Sequence, residues 1–258
     1  MAGRIGILQF PGTNCEVETL RAVRYVGLDG EIVRWNEKEK FLRSFDGYII
    51  PGGFAHQDRV RAGVIAAKEP VMAVLTEEAM KGKPIIGICN GCQVLIESGL
   101  LPGLDVGKVE MAMAKNKMEM RWGFYHRFVY IRRLPSSPDC VINLRIREDE
   151  IIVLPIAHEE GKFTTADENV IKTIKERHLS GFVYTDENGN IATGFPDNPN
   201  GAIFNLAALS NKKGNIAGIM PHPERTIFKW NLTSINKNRF NLNLAYRIIE
   251  SLKIYLKN

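Results

Sequence analysis

The sequence predicts an α/β protein with a doubly wound sheet, and two observations support this fold class. Strand and helix signals alternate over the first hundred residues, which is typical of βαβ units. Several apolar runs also end in glycine or proline turns, at the strand ends where such sheets carry their functional residues. The 258 residues can bury a large core, and they show no repeat or linker. We therefore expect residues 1–258 to form a single domain.

The first hundred residues contain four predicted strands and two well-marked helices. The first helix begins with a capping box of Thr13 and Glu16 and ends at Gly27. Pro70 begins the second helix, because proline is favoured at the first helical position. The strands are predicted at 4–10, 31–35, 47–50 and 85–88, and the core-facing positions of the helices are Val17, Leu20, Val23, Val26, Val71, Val74, Leu75 and Ala79.

Beyond residue 110 the signals turn to strands and loops. Prolines and a charged run predict a solvated loop or insertion around residues 134–150. Apolar residues at helical spacing predict a C-terminal amphipathic helix over residues 240–256 that docks on the sheet. The strands of this half are predicted at 128–132, 151–156, 182–184 and 216–220.

The composition, 45% hydrophobic and 24% charged, is that of an ordinary globular protein. The net charge of +5 is scattered along the chain, which permits a phosphate-rich partner but does not indicate one. We expect no nucleic-acid partner. No apolar run is long enough to span a membrane. The first residues run into a strand without a secretory pattern, and the four cysteines are irregularly spaced. We therefore expect a cytoplasmic protein.

Residues 84–96 are the most informative stretch. An apolar run at 85–88 predicts a buried strand, and residues 94–97 open a helix. Between them lies Gly-Ile-Cys-Asn-Gly, the pattern of a strand-turn-helix elbow with Cys89 as the nucleophile. A cysteine at a helix N-terminus is favoured as the thiolate. This spacing indicates an enzyme with a reactive cysteine.

Two other interpretations of this stretch stay open on its residues alone. Cys89 and Cys92 have the spacing of a thioredoxin-like redox pair. A buried strand followed by two inert cysteines is the plainer alternative. A zinc site would need further ligands, and Cys15 and Cys140 are isolated in the sequence, so we expect no metal.

Three further strand ends carry candidate functional groups. Gly52 and Gly53 follow a strand, where exposed N–H groups can hold an oxyanion, although a simple tight turn explains them equally well. His222 lies between two prolines, and the carboxylate of Glu224 two residues later can orient its imidazole. His158 ends another strand, where a structural and a functional role are equally supported.

Taken together, these stretches resemble the class I (triad) glutamine amidotransferases, and more narrowly the glutaminase subunits of phosphoribosylformylglycinamidine synthase. The resemblance implies a three-layer α/β/α domain with a mostly parallel, mixed central sheet. The motifs span nearly the whole chain in the family's order. They are residues 10–15 (Phe-Pro-Gly-Thr-Asn-Cys), 51–54 (Pro-Gly-Gly-Phe), 61–63 (Arg-Ala-Gly), 87–91, 157–158 (Ala-His), 198–201 (Asn-Pro-Asn-Gly) and 220–225 (Met-Pro-His-Pro-Glu-Arg).

The sequence departs from this family at three places. Residues 55–57 are Ala-His-Gln where the family usually has Ser-Tyr-Gly, and Glu159 replaces a glycine. Cys92 stands where the family usually has phenylalanine, which favours a packing role for Cys92 over a redox role.

The resemblance implies a catalytic triad of Cys89, His222 and Glu224. Cys89 would attack the side-chain carboxamide of glutamine, His222 would move the protons, and Glu224 would orient His222. A stress hydrolase or chaperone with an elbow cysteine is the first alternative, but such proteins usually have histidine where this chain has Asn90. A thiol oxidoreductase that uses Cys89 and Cys92 is the second.

The resemblance also implies the surroundings of the triad. The N–H groups of Gly53 and Asn90 would stabilise the oxyanion, and Gly52 and Gln93 would contact the substrate. We expect no cofactor on this chain, because it lacks a glycine-rich nucleotide loop.

The implied partners are a large synthetase subunit, which would use ATP and Mg²⁺ to make formylglycinamidine ribonucleotide, and a small accessory subunit. We expect the isolated chain to hydrolyse glutamine poorly until the synthetase docks. The turn at Gly52 and Gly53 would be the element that docking reorders, because glycine peptides flip at little steric cost.

Overall fold

The computed structural model describes residues 2–228, residue 231 and residues 244–257, and these residues form eleven strands and six α-helices. The strands are β1 (Arg4–Gln9), β2 (Asp29–Arg34), β3 (Gly47–Ile50), β4 (Ile85–Ile88), β5 (Ala112–Ala114), β6 (Tyr125–Arg132), β7 (Ile151–His158), β8 (Lys162–Thr164), β9 (Ser180–Thr185), β10 (Leu206–Ser210) and β11 (Ile216–Ile219). The helices are α1 (Glu16–Tyr25), α2 (Glu39–Leu42), α3 (Pro70–Met80), α4 (Asn90–Glu97), α5 (Glu168–Glu176) and α6 (Ala245–Tyr255).

The central sheet has nine strands in the order β2-β1-β3-β4-β11-β10-β9-β6-β7. Neighbours pair in parallel from β2 to β11 and antiparallel from β11 to β7. The five parallel strands, β9 and β7 therefore run in one direction, with β10 and β6 opposed. This arrangement confirms the mostly parallel, mixed sheet, and β5 and β8 pair in a separate small sheet.

The windings of the chain explain the three layers. The chain passes from β1 through α1 to β2 on one side of β1, and from β3 through α3 to β4 in the opposite direction. Because such crossovers are almost always right-handed, α1 and α3 lie on opposite faces of the sheet. The winding reverses between β1 and β3, and sheets of this kind bind ligands at the carboxyl ends of such strands.

The start of α1 differs from the prediction. Cys15 is the N-cap and its side chain makes no capping bond. The Thr13 hydroxyl instead accepts a hydrogen bond from the N–H of Phe10 (3.0 Å) in the turn after β1. The capping box of Thr13 and Glu16 is therefore wrong, and Val17 is 45% exposed rather than core-facing. The buried residues of the helix are Thr19, Ala22 and Val23.

The other two predicted helices agree with the structure where it describes them. Pro70 occupies the first turn of α3, and all four of its predicted core positions are buried. The C-terminal helix spans residues 245–255 and packs against α1 and β7. Its predicted beginning at residues 240–243 lies outside the described residues.

Residues 134–150 connect β6 to β7 and are not solvated throughout. Cys140, Val141 and Ile142 are almost fully buried, and burial raises the pKa of the Cys140 thiol to about 11. The prediction of a solvated loop is therefore wrong for this apolar part. That the segment is an insertion relative to the family stays a prediction.

Helix α5 was not predicted, although its beginning follows a simple rule. The Asp167 carboxylate caps it by accepting from the N–H groups of Asn169 (2.9 Å) and Val170 (3.3 Å). The sequence also gave no clear signal for β10 or for the short strands β5 and β8. Among the described residues, no helix combines the length and the apolar composition that crossing a bilayer requires.

Candidate active site

Cys89 lies in a strained turn between β4 and α4. Its φ is 50° and its ψ is −104°, an unusual backbone conformation for a residue with a side chain. The glycines on either side are required by space. A Cβ on Gly87 would lie 2.5 Å from the carbonyl oxygen of Gly91, and a Cβ on Gly91 would lie 1.9 Å from that of Ile50. The structure therefore has the sharp elbow that the Gly-x-Cys-x-Gly spacing predicts.

His222 and Glu224 form a buried pair just after β11. Nδ1 of His222 lies 2.6 Å from Oε1 of Glu224, and both side chains are at most 3% exposed. The N–H of His222 donates to the carbonyl of Pro155 on β7 (2.9 Å), which fixes the backbone of the histidine. Nε2 is buried and has no hydrogen-bond partner among the described residues.

The charge of His222 is set by its neighbours. Burial alone would lower the pKa of the imidazole, but the negative charges of Glu224 and Cys89 outweigh burial and raise it well above its usual value. The Cys89 side chain therefore interacts electrostatically with the imidazole. A charged imidazole close to a cysteine is the arrangement that supports nucleophilic cysteine chemistry.

The turn after β3 is tied to the turn after β1. The carbonyl of Gly52 accepts hydrogen bonds from the N–H groups of Asn14 (3.3 Å) and Cys15 (3.2 Å). Because the C=O and N–H of a trans peptide point in opposite directions, the N–H of Gly53 points away from these two residues. Gly53 has a φ of 152°, and a Cβ there would lie 2.7 Å from the Cα of Thr13. Flipping this peptide would break both hydrogen bonds.

The side chains of Asn90 and Gln93 are hydrogen-bonded to each other at the start of α4. Nδ2 of Asn90 donates to Oε1 of Gln93 (2.9 Å) and to Oδ1 of Asp58 (3.1 Å), while Oδ1 of Asn90 accepts from the N–H of Ala55 (2.9 Å). Nε2 of Gln93 donates to the carbonyl of Glu160 (2.7 Å). Both side chains are buried, and their amide groups serve to position the surrounding loops.

A cleft of about 280 Å³ opens over the elbow. Cys89, Gly53 and Gln93 line it, and so do Asp58 and His158. Gly52 does not line this cleft; a Cβ at Gly52 would lie 2.7 Å from Cε1 of His222, so the glycine leaves room for the imidazole. A direct contact of Gly52 or Gln93 with a substrate stays a prediction.

Cys15 and Arg225 lie beside the pair of His222 and Glu224, and no functional role was predicted for either. One ligand atom each of Cys15, His222 and Glu224 lies within 4.8 Å of the others, a spacing that a metal ion can accept. Arg225 donates from Nη2 to Sγ of Cys15 (3.0 Å) and so places a positive charge against this group. The guanidinium therefore opposes a metal cation there.

Cys92 has the properties of a packing residue. Its side chain is fully buried, and a Cβ on Gly218 would lie 2.5 Å from its Sγ. Burial, followed by the negative charge of Cys89, raises the pKa of the Cys92 thiol well above its usual value. Both thiols are free in the structure. These observations favour packing over a redox pair.

Comparison with known proteins gives a consistent result. The family of CobB/CobQ-like glutamine amidotransferase domains matches residues 2–255. The phosphoribosylformylglycinamidine synthase subunit PurQ of Methanothrix thermoacetophila is 48% identical over 98% of both chains. The same subunit of Saccharolobus solfataricus is 38% identical over 95% of this chain and 99% of that protein.

Among solved structures, PurLQS from Thermotoga maritima contains a chain that superimposes with a TM-score of 0.76 and 26% identity, covering 99% of this chain and 100% of that one. A glutamine amidotransferase of the same organism, at 15% identity and a TM-score of 0.52, shares the fold. The chain therefore belongs to the family of glutamine amidotransferase domains and, within it, to the phosphoribosylformylglycinamidine synthase subunits PurQ.

Proposed function

We propose that the chain is the glutaminase subunit of a phosphoribosylformylglycinamidine synthase and works in the cytoplasm. It hydrolyses glutamine to glutamate and supplies ammonia to a synthetase subunit. The synthetase uses ATP and Mg²⁺ to convert formylglycinamide ribonucleotide into formylglycinamidine ribonucleotide, a step of purine biosynthesis. Membership of the PurQ family over nearly the whole chain supports this proposal. The observation that carries it is the strained elbow cysteine beside the buried imidazole and carboxylate pair.

The proposed triad is Cys89, His222 and Glu224. The Cys89 thiolate attacks the carboxamide carbon of glutamine and forms a tetrahedral oxyanion. His222 gives a proton to the leaving ammonia and then takes one from the water that hydrolyses the glutamyl thioester. Its unpartnered Nε2 is the nitrogen that moves these protons, because Nδ1 is bonded to Glu224. Glu224 keeps the imidazole in that orientation.

The proposed oxyanion donors are the N–H groups of Gly53 and Asn90. Asn90 is the first residue of α4, where backbone N–H groups have no partner within the helix. Removing one such donor costs about 10²–10³ in rate in comparable sites. We propose that Gly52 and Gln93 support the substrate by positioning, since Gly52 makes room for the imidazole and Gln93 holds Asn90.

We propose that a large synthetase subunit and a small accessory subunit are the partners, by likeness to the Thermotoga maritima PurLQS assembly. Large apolar side chains near the cleft support docking there. Phe54 and Phe124 line the cleft, lie 6.4 Å apart between ring centroids, and are both about half exposed. Trp122 is 91% exposed and Val60 87% exposed. Exposed apolar groups of this size typically mark an interaction surface.

Cys89→Ala tests the proposal in the assembled synthase. Glutamate release should fall below about a thousandth of the wild-type rate, while synthesis from free ammonia should be retained. Cys92→Ala is the matched control and should keep most glutaminase activity. A Cys89→Ala variant that still hydrolyses glutamine would overturn the triad. Glutamate release should also rise when the synthetase is added to the isolated chain, and an unchanged rate would indicate a self-sufficient amidase.

A further inference from the structure

Two carboxylates face the cleft from different segments of the chain. Asp58 belongs to the short 3₁₀ turn at Ala55–Asp58, and Glu160 follows β7. Oδ1 of Asp58 accepts from Nδ2 of Asn90 (3.1 Å), so the carboxylate is anchored to the first residue of α4. Burial raises the pKa of Asp58 to about 6, the Asn90 hydrogen bond opposes this, and the negative charge of Glu160 adds to it.

The basic side chains of this region are engaged by other groups. Arg61 makes two hydrogen bonds to the carboxylate of Glu97 (2.7 and 2.5 Å). Lys115 lies 3.5 Å from the carboxylate of Glu159. Arg59 donates to the side-chain oxygen of Gln57, so none of these three is bonded to Asp58. The cleft therefore presents partly buried negative charge that a cationic ligand would stabilise.

His158 is an independent indication that the ligand brings N–H donors. Its Nδ1 lies 3.1 Å from Oδ1 of Asn116, which also accepts from the N–H of Gly161 (3.1 Å). Because that oxygen is an acceptor, Nδ1 carries the proton and Nε2 is left as an acceptor. The side chain is 3% exposed, Nε2 has no partner among the described residues, and burial lowers the pKa of the imidazole to about 3. His158 is among the residues that line the cleft, and a ligand with N–H donors there would satisfy this acceptor.

We propose that Asp58, assisted by Glu160, binds the α-ammonium group of the substrate glutamine. This inference rests on the proposed function, which supplies the substrate. An ammonium offers three donors and a positive charge, and a carboxylate in a partly buried cleft is its strongest partner. Asn90 links the two ends of the substrate, because its backbone adjoins Cys89 and its side chain holds Asp58. Asp58 thereby selects amino acids over simple amides.

The test compares glutamine with 5-amino-5-oxopentanoate, which has the same carboxamide and carboxylate but no amino group. In the assembled synthase, Asp58→Asn should raise the KM for glutamine by about 10–100-fold, the usual effect of losing a hydrogen bond between charged groups. It should change kcat/KM for the analogue by less than about threefold. Asparagine tolerates the left-handed backbone of this position (φ 51°), so the turn is retained. Asp105→Asn, at an exposed aspartate outside the cleft, is the matched control. It should change neither the KM for glutamine nor kcat/KM for the analogue.

Three results would overturn the assignment. An Asp58→Asn variant with unchanged KM for glutamine would exclude an ammonium contact. Equal losses of kcat for both substrates would show that Asp58 acts only through Asn90. A wild-type enzyme that favours the analogue over glutamine would mean that no ammonium is recognised. The proposed function fails separately, if the wild type releases no glutamate from glutamine or if Cys89→Ala retains that activity.

Discussion

Gly91→Ala tests how strictly the elbow depends on its glycines. A Cβ at residue 91 would lie 1.9 Å from the carbonyl oxygen of Ile50, and real Cβ contacts essentially never fall below 3.0 Å. Helix α4 and strand β3 must therefore separate by about 1.1 Å at this point. Both elements are buried, so neither has free space into which it can move.

The shift predicts two measurable losses. A displacement of about 1 Å at a reacting group costs roughly 10²-fold in rate, and the elbow carries Cys89 at one end of this contact. Overpacking of a buried contact costs about 1–3 kcal/mol of unfolding free energy. For a chain of this size each kcal/mol lowers Tm by about 2–4 °C, so we expect a decrease of about 2–12 °C.

Glutamate release by the assembled synthase and thermal unfolding of the chain measure the two losses. Gly194→Ala is the matched control, because no atom lies within 4 Å of its added Cβ and its φ lies outside the left-handed region. It should leave both the rate and Tm at wild-type values. A Gly91→Ala variant with wild-type rate and wild-type Tm would refute the steric argument for the elbow.

The remaining predictions concern single side chains of the site. Cys92→Ala should retain most glutaminase activity. Cys92→Phe should lower Tm, because Sγ of Cys92 already packs tightly against Gly218. A Cys92→Phe variant with the Tm of the wild type would contradict this packing. His222→Asn should reduce glutamate release about as severely as loss of the nucleophile. Glu224→Gln should reduce the rate of glutamate release less, by roughly 10²-fold, since the new amide oxygen can still accept from Nδ1 of His222 while the charge is lost. Equal and mild losses of rate in the two variants would indicate another base. For glutamine, kcat/KM should fall as the pH drops through about 6, where Asp58 takes up a proton. Asp58→Asn should remove this pH dependence. A fall in kcat/KM near pH 6 that persists in the variant would show that another group titrates there.

The elbow and the sheet could be predicted from the sequence because local rules determine them. Glycines on both sides of a cysteine between an apolar run and a helix leave few backbone solutions, and the structure has that geometry at Cys89. The four parallel strands of the first hundred residues were recognised because their apolar runs are short and bounded by turns. Pro70 marked the start of α3 for the same local reason.

Other features depend on long-range contacts that one sequence does not reveal. Thr13 has the right type for a helix cap, but the turn after β1 uses its hydroxyl. Cys15 appears isolated in sequence, yet Arg225 contacts its sulfur across the chain. Asp58 is one of many aspartates until the fold places it against Asn90 and inside the cleft.

The burial of the four cysteines has a consequence for the chain's reactivity toward electrophiles. Cys15, Cys92 and Cys140 are each at most 1% exposed and do not line the cleft over the elbow, whereas Cys89 does. The packed core thus shields three thiols while the cleft admits reagents to the fourth. A small alkylating agent applied to the native protein should modify one sulfur per chain, and after denaturation it should modify four. The fold gives a protein with four cysteines the chemical behaviour of one with a single thiol.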